Sequence, residues 1–160
     1  MRRFGLIVRA RGHCASAAYF AAKFEREGIA DCTYTLYELP EIGALERLLA
    51  ETPDLCGFNV TIPYKKAVMP LLDEISPEAA AIGSVNTIVN RAGRLTGYNT
   101  DAFGFTWLLQ KSGVDVAGKK ALVFGSGGAS VTVCHVLKSL GADPVVVISR
   151  SGENNYENLD

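Results

Sequence analysis

The chain lacks a surplus of either charge: 16 Lys and Arg against 17 Asp and Glu leave a formal net charge of −1 over 160 residues. That balance removes any bulk electrostatic case for nucleic acid or an anionic membrane as a partner. Long apolar runs are missing too, since no segment approaches the roughly 20 apolar residues of a membrane span. Met1-Arg2-Arg3 followed by Phe4–Val8 opens like an export signal, but the apolar run stops at Arg9. Such a signal needs about 7–15 apolar residues. The four cysteines (Cys14, Cys32, Cys56, Cys134) form no CxxC pair, which speaks against zinc or dithiol redox chemistry. Three of them sit in apolar surroundings and are expected to be reduced and buried. The expected compartment is cytoplasmic, so the formal glycosylation match at Asn59-Val60-Thr61 is expected to be accidental. Internal repeats and low-complexity tracts are absent, and no metal is expected.

What is present is an alternation of strand-like and helix-like runs, which predicts an α/β fold built from βαβ units with a parallel sheet. Strands are predicted at 4–8, 32–39 and 55–61, and helices at 15–27 and around Ile42, Leu45, Leu48 and Leu49. Gly28 reads as a helix stop, and Pro63 as the end of the third strand, because proline has no N–H to donate to a ladder. Residues 85–90 and 94–98, joined by Arg91-Ala92-Gly93, read as a hairpin. A helix over 102–111 then connects to a fresh β-α-β pattern: strand 121–124, helix 129–140 and strand 145–149. The domain boundaries that follow are 1–101 and 102–160. Only the first of the two mononucleotide halves of a dinucleotide fold is legible. The chain therefore reads either as a fragment or as a shortened relative with an open sheet edge, for which a homodimer is one expected cover.

The chemistry concentrates in short patches just after apolar strands, where an α/β sheet opens its ligand crevice. The first is Asn59-Val60-Thr61-Ile62-Pro63-Tyr64-Lys65; Asn86-Thr87 and Asn99-Thr100-Asp101 follow. A lysine and an aspartate converging there can pass a proton to and from an alcohol oxygen. Any single lysine is more often a solvated surface charge, and adjacent Lys66 is assigned that role. Gly125-Ser126-Gly127-Gly128-Ala129 sits between a strand and a helix, where glycines let a pyrophosphate approach backbone N–H groups. An NAD site usually carries an acidic residue at the end of the second strand. Ser149-Arg150-Ser151 stands there instead, and an arginine fork flanked by hydroxyls suits a ribose 2′-phosphate. NADP is the expected cofactor.

Together the Asn59–Lys65 run, Gly83-Ser84-Val85-Asn86-Thr87, Gly97-Tyr98-Asn99-Thr100-Asp101 and Gly125–Ser130 resemble the shikimate dehydrogenase family over nearly the whole chain. The resemblance implies an α/β substrate-binding domain followed by a Rossmann-type NADP domain. It implies reduction of 3-dehydroshikimate to shikimate, a step toward aromatic amino acids. Lys65 and Asp101 would be the catalytic pair, and Thr61, Asn86 and Asp101 would contact the substrate hydroxyls. Asn59 is expected to shape its turn through backbone hydrogen bonds rather than to touch ligand.

One motif departs from the family. Members usually read His-Ser-x-Ser-Pro after the first strand, with both serines on the substrate carboxylate. This chain has His13-Cys14-Ala15-Ser16-Ala17. Ser16 is retained, whereas a thiol at Cys14 donates weakly, a loss worth about 1–2 kcal/mol of binding. His13 is expected to be structural, and Arg9 and Arg11 either pair with an anion or are exposed. Three other readings stay open: quinate as substrate, a non-catalytic relative that binds a ring acid or nucleotide, and a folate-linked dehydrogenase on a similar scaffold. These 160 residues in isolation are expected to turn over poorly or not at all.

Overall fold

In the computed structural model, which describes residues 1–10, 15–150 and 154–155, the first strand pairs along both of its edges. Strand β1 (Arg2–Val8) lies parallel to β2 (Cys32–Glu38) and to β3 (Leu55–Val60). Helix α1 (Ser16–Arg26) makes the first crossover and α2 (Leu45–Glu51) the second. Both connections are long enough for the parallel pairing that the alternating pattern predicts.

Beyond β3 the sheet is mixed, which corrects the expectation of a parallel one. Residues 61–86 begin and finish at the end of β3: the Val60 N–H donates to Asn86 O at 2.8 Å, and the Val85 N–H donates to Lys65 O at 2.9 Å. The next strand must therefore run back. This excursion holds α3 (Tyr64–Ala67), the two-residue β4 (Glu74–Ile75) and α4 (Pro77–Ile82), none of which the sequence pattern resolved. Ser76 caps α4 by accepting from the Ala79 N–H at 3.2 Å, with Pro77 at the first helical position. β5 (Thr87–Arg91) and β6 (Arg94–Tyr98) then form the predicted hairpin. Ala92 and Gly93 both have positive φ, the geometry whose twist suits a two-residue connection. The sheet order is β2-β1-β3-β5-β6-β4.

One face of this sheet holds the main core, where Ile7, Leu45, Leu55, Val68, Val85 and Ile88 are fully buried. On the other face α1 brings Phe20 against Tyr34, the rings stacked with centroids 4.3 Å apart. No residue of α1 is fully buried, and a cavity of about 240 Å³ remains between its aromatics and Gly57, Asn59 and Thr87.

Helix α5 (Thr100–Ser112) leads to a separate two-stranded parallel sheet. There β7 (Ala121–Phe124) and β8 (Val145–Ile148) are joined by α6 (Gly128–Ser139). Val123, Leu137 and Ala142 form its core, with Phe105 and Leu109 of α5 packed against it. Val136 of α6 meets Ala102 and Ile82 in a smaller cluster that ties the two sheets together. Phe103, Trp107, Leu122 and Phe124 are exposed.

Among the described cysteines, Cys32, Cys56 and Cys134 are free and only half-buried, which corrects the expectation of buried thiols. Cys32 lies on the edge strand β2 and Cys56 at the start of β3, both short of full cover. Cys14 lies outside the described residues. No helix among the described residues is long and apolar enough to cross a membrane.

Candidate active site

The site is built at the end of β3, where Pro63 stops the ladder and α3 begins. One helical turn brings Lys65 back toward the sheet. Its side chain is 14% exposed, and its ammonium donates to Asp101 Oδ2 at 2.7 Å across 36 positions of sequence. Asp101 is 41% exposed and occupies the first turn of α5, where an anion meets unpaired helix amides. The pair combines a partly desolvated cation with a carboxylate open to solvent, an arrangement suited to relaying a proton at a ligand oxygen.

Asn99 sets the position of Asp101. Only 3% exposed, it caps α5 by accepting from the Ala102 N–H at 3.2 Å. Its Nδ2 donates to Ser84 O at 2.9 Å and to Thr132 Oγ1 of α6 at 3.1 Å. One side chain thus joins the loop before Asn86, the helix carrying Asp101 and the helix that follows the glycine turn.

Asn86 is oriented by a chain of polar contacts. Its Oδ1 accepts from the Thr100 N–H at 2.9 Å and from Thr87 Oγ1 at 3.0 Å. The backbone donor settles which end of the amide is oxygen, so Nδ2 faces Thr100 Oγ1 at 3.1 Å. That leaves one Nδ2 hydrogen without a partner among the described residues.

The chain of contacts continues to Asn59, and here the sequence expectation is corrected. Asn59 does not shape its turn. Its Oδ1 accepts from the Tyr34 hydroxyl at 2.8 Å, and its Nδ2 donates to Thr87 Oγ1 at 3.0 Å and to Asn86 O at 3.4 Å. Because Asn59 follows the strand alternation, its side chain crosses neighbouring strands instead of folding onto the Pro63 loop.

Thr61 is half-buried beside this network, with its carbonyl accepting from the Tyr64 N–H at 2.9 Å. Ser16 is half-buried at the first position of α1. Lys65, Asp101, Asn86 and Thr61 are therefore gathered around the end of β3. Cys14 is outside the described residues, so the altered loop motif has no geometry to report.

Across the cleft, Gly125 follows β7 with φ +103°, a conformation that side chains rarely adopt, and its N–H donates to Ile148 O at 2.7 Å. Gly127 caps α6, and a Cβ at either glycine would meet open space within 4 Å. The N–H groups of Ser126, Gly127 and Gly128 make no hydrogen bond among the described residues. A cavity of about 300 Å³ separates this turn from Ile62, Pro63, Lys65 and Lys66. A Cβ on Gly128 would come within 3.3 Å of Ile62 Cγ2 and 3.6 Å of Lys65 Cδ, so the turn and the lysine face each other closely. Ala129 is in the first turn of α6, beyond Gly128. Ser149 is buried and Arg150 exposed just past β8, while Ser151 lies outside the described residues.

Sequence reasoning missed Asn99, Thr100 and Thr132 as the bonds that position the pair. The signal for Asn99 and Thr100 was an Asn-Thr dipeptide repeated on either side of the hairpin, Asn86-Thr87 and Asn99-Thr100; Thr132 had none.

Comparison with known proteins gives one family. The family described as the shikimate dehydrogenase substrate binding domain matches residues 7–88, just over half of the chain. A shikimate dehydrogenase (NADP(+)) of Symbiobacterium thermophilum is 43% identical over 152 residues, covering 94% of this chain and 51% of that protein. Among solved structures, shikimate dehydrogenase 1 from Peptoclostridium difficile aligns with TM-score 0.86 at 35% identity, over 98% of this chain and 61% of its own. The shikimate 5-dehydrogenase of Thermus thermophilus, solved in complex with NADP(H) and shikimate, aligns with TM-score 0.81 at 37% identity. That alignment covers 94% of this chain and 57% of the other. The chain spans about half the length of the curated relatives it matches.

Proposed function

Because the chain belongs to the shikimate dehydrogenase family, we propose that it carries the substrate site and the first nucleotide-binding unit of an NADP-dependent oxidoreductase interconverting 3-dehydroshikimate and shikimate. The observation that carries this reading is the Lys65–Asp101 contact at 2.7 Å, facing a glycine turn across an open cleft. In this reading residues 1–101 hold and protonate the ring acid, and 102–160 begin the dinucleotide site.

The residues fit the nucleotide. Three unpaired amides at the start of a 12-residue helix suit a pyrophosphate, and exposed Arg150 suits the 2′-phosphate with Ser149 beside it. When bound, NADP supplies the acceptor or donor of hydride. The protein's task is the proton. In the oxidative direction the C–O bond becomes a carbonyl only if the hydroxyl proton leaves, and the Lys65 amine takes it while Asp101 holds the resulting ammonium. In reduction the Lys65 ammonium returns that proton to the ring oxygen. The free Nδ2 hydrogen of Asn86, the Thr61 hydroxyl and Asp101 address the neighbouring ring hydroxyls, and Ser16 with Cys14 the carboxylate.

The test is NADP-dependent oxidation of shikimate followed by reduced-nicotinamide absorbance, with thermal shifts by shikimate and NADP measured beside it. The expected result is that Lys65→Ala retains the shikimate-induced shift and loses whatever low turnover the parent chain shows. A Lys65→Ala rate equal to the parent's rejects the catalytic assignment. Absence of both turnover and ligand-induced shifts rejects the whole reading.

A further inference from the structure

The cavity between the two halves of the site holds a second lysine that the proton chemistry does not use. We propose that Lys66 is a phosphate-binding residue of the dinucleotide site, its ammonium donating to the pyrophosphate received by the Gly125–Ala129 turn. The inference rests on the nucleotide reading given above.

Lys65 and Lys66 both line the cavity of about 300 Å³, opposite Ser126, Gly127 and Gly128, and no acidic residue lines it among the described residues. The two lysines are not equivalent. Lys65 is 14% exposed and committed to Asp101 at 2.7 Å, so its charge is already met. Lys66 is exposed and makes no ion pair among the described residues. A pyrophosphate brings two negative charges to this cleft. The helix start offers neutral amides and the positive end of the α6 dipole, about half a charge, which leaves most of that charge unmet. A flexible, strongly hydrated point charge on a four-carbon stem is the group that meets a phosphate across an open gap. The adjacent position on α3 provides it, one residue beyond the lysine that faces the substrate. Sequence alone assigned Lys66 to the surface, because the motif register places the catalytic role on Lys65 and a neighbouring lysine is most often a solvated charge. The distinction arises from α3 lying across the cleft from a turn some sixty positions further along the chain.

The pyrophosphate is common to NADP and NAD, and only NADP carries the 2′-phosphate expected at Arg150. Affinities of both nucleotides are measured by titration calorimetry for the parent chain, Lys66→Gln, Lys66→Arg and Arg150→Gln, at low and high salt. Lys66→Gln is expected to weaken NADP and NAD alike by roughly 3–10-fold at low salt, leaving their ratio and the shikimate affinity unchanged. The deficit shrinks at high salt because an exposed charge is screened. Lys66→Arg restores binding to within about two-fold, and Arg150→Gln alters the NADP-to-NAD ratio instead. A Lys66→Gln protein that binds both nucleotides like the parent overturns the proposal, as does one that changes only the ratio. If the parent binds neither nucleotide, the dinucleotide reading itself fails, and this inference with it.

Discussion

Replacing Asn99 by alanine removes three contacts at once from a place that water does not reach. The Ala102 N–H loses its cap, and Ser84 O and Thr132 Oγ1 lose their donor; Asn99, Ala102, Ser84 and Thr132 are all at most 3% exposed. A lost N-cap costs about 1 kcal/mol, and each buried polar group left unpaired costs at least about 1 kcal/mol. The sum is roughly 3 kcal/mol. With a urea dependence of about 1.5–2 kcal/mol per molar, the unfolding midpoint falls by roughly 1.5–2 M. Thr132→Val keeps the side-chain shape and removes one bond, so it should cost about 1 kcal/mol. The double variant should cost less than the two singles combined, because the shared bond is lost only once; the expected coupling is about 1 kcal/mol. Urea unfolding of the four proteins reads all of these quantities. A midpoint shift below about 0.5 M for Asn99→Ala, or strict additivity of the two changes, would refute the view that Asn99 pins α6 to the substrate half.

Two further outcomes follow from geometry and charge. A Cβ at Gly97 would lie 2.5 Å from Leu72 Cδ1 and 3.0 Å from Val85 Cγ2, so Gly97→Ala should destabilise the fold by about 1–3 kcal/mol in the same urea assay. The Arg2 guanidinium donates to Asp31 and holds its carboxyl below the ordinary aspartate range, so the pair stabilises above that range. This contribution is lost as pH falls through the lowered folded value, so Arg2→Gln should slightly lower stability near neutrality, flatten the acid limb, and leave stability below that limb unchanged.

Those parts of the fold that announce themselves locally were legible in the sequence. Strict alternation marked β2, and a glycine-punctuated hairpin marked β5 and β6. A strand running into Gly125-Ser126-Gly127 marked the second unit. The segment between Pro63 and Gly83 was not legible. A four-residue α3 and a two-residue β4 are shorter than any period that could reveal them, and three prolines interrupt the stretch. For the same reason the way that hairpin joins the sheet, with β5 antiparallel to β3, was invisible. It depends on the Val60–Asn86 and Val85–Lys65 backbone bonds, which are contacts rather than patterns. At the site, residue type singled out Lys65 and Asp101 as a pair, and the structure brings them to 2.7 Å. Residue type could not tell what each amide holds in place: Asn59, Asn86 and Asn99 look alike in sequence, and only their partners distinguish them.

Among the described residues the β7–β8 sheet is small, which bears on how this 160-residue chain opens. A two-stranded sheet has little stability of its own, and Leu122 and Phe124 leave much of β7 uncovered. Amide hydrogens of β7 and β8 should therefore exchange through a partial unfolding that leaves the six-stranded sheet closed, well before the amides of β1 and β3. The proposed substrate residues then border the slower-exchanging sheet, and the glycine turn belongs to the faster-exchanging unit. A nucleotide would register first as slowed exchange in β7, β8 and the start of α6, whereas shikimate would leave those amides nearly untouched.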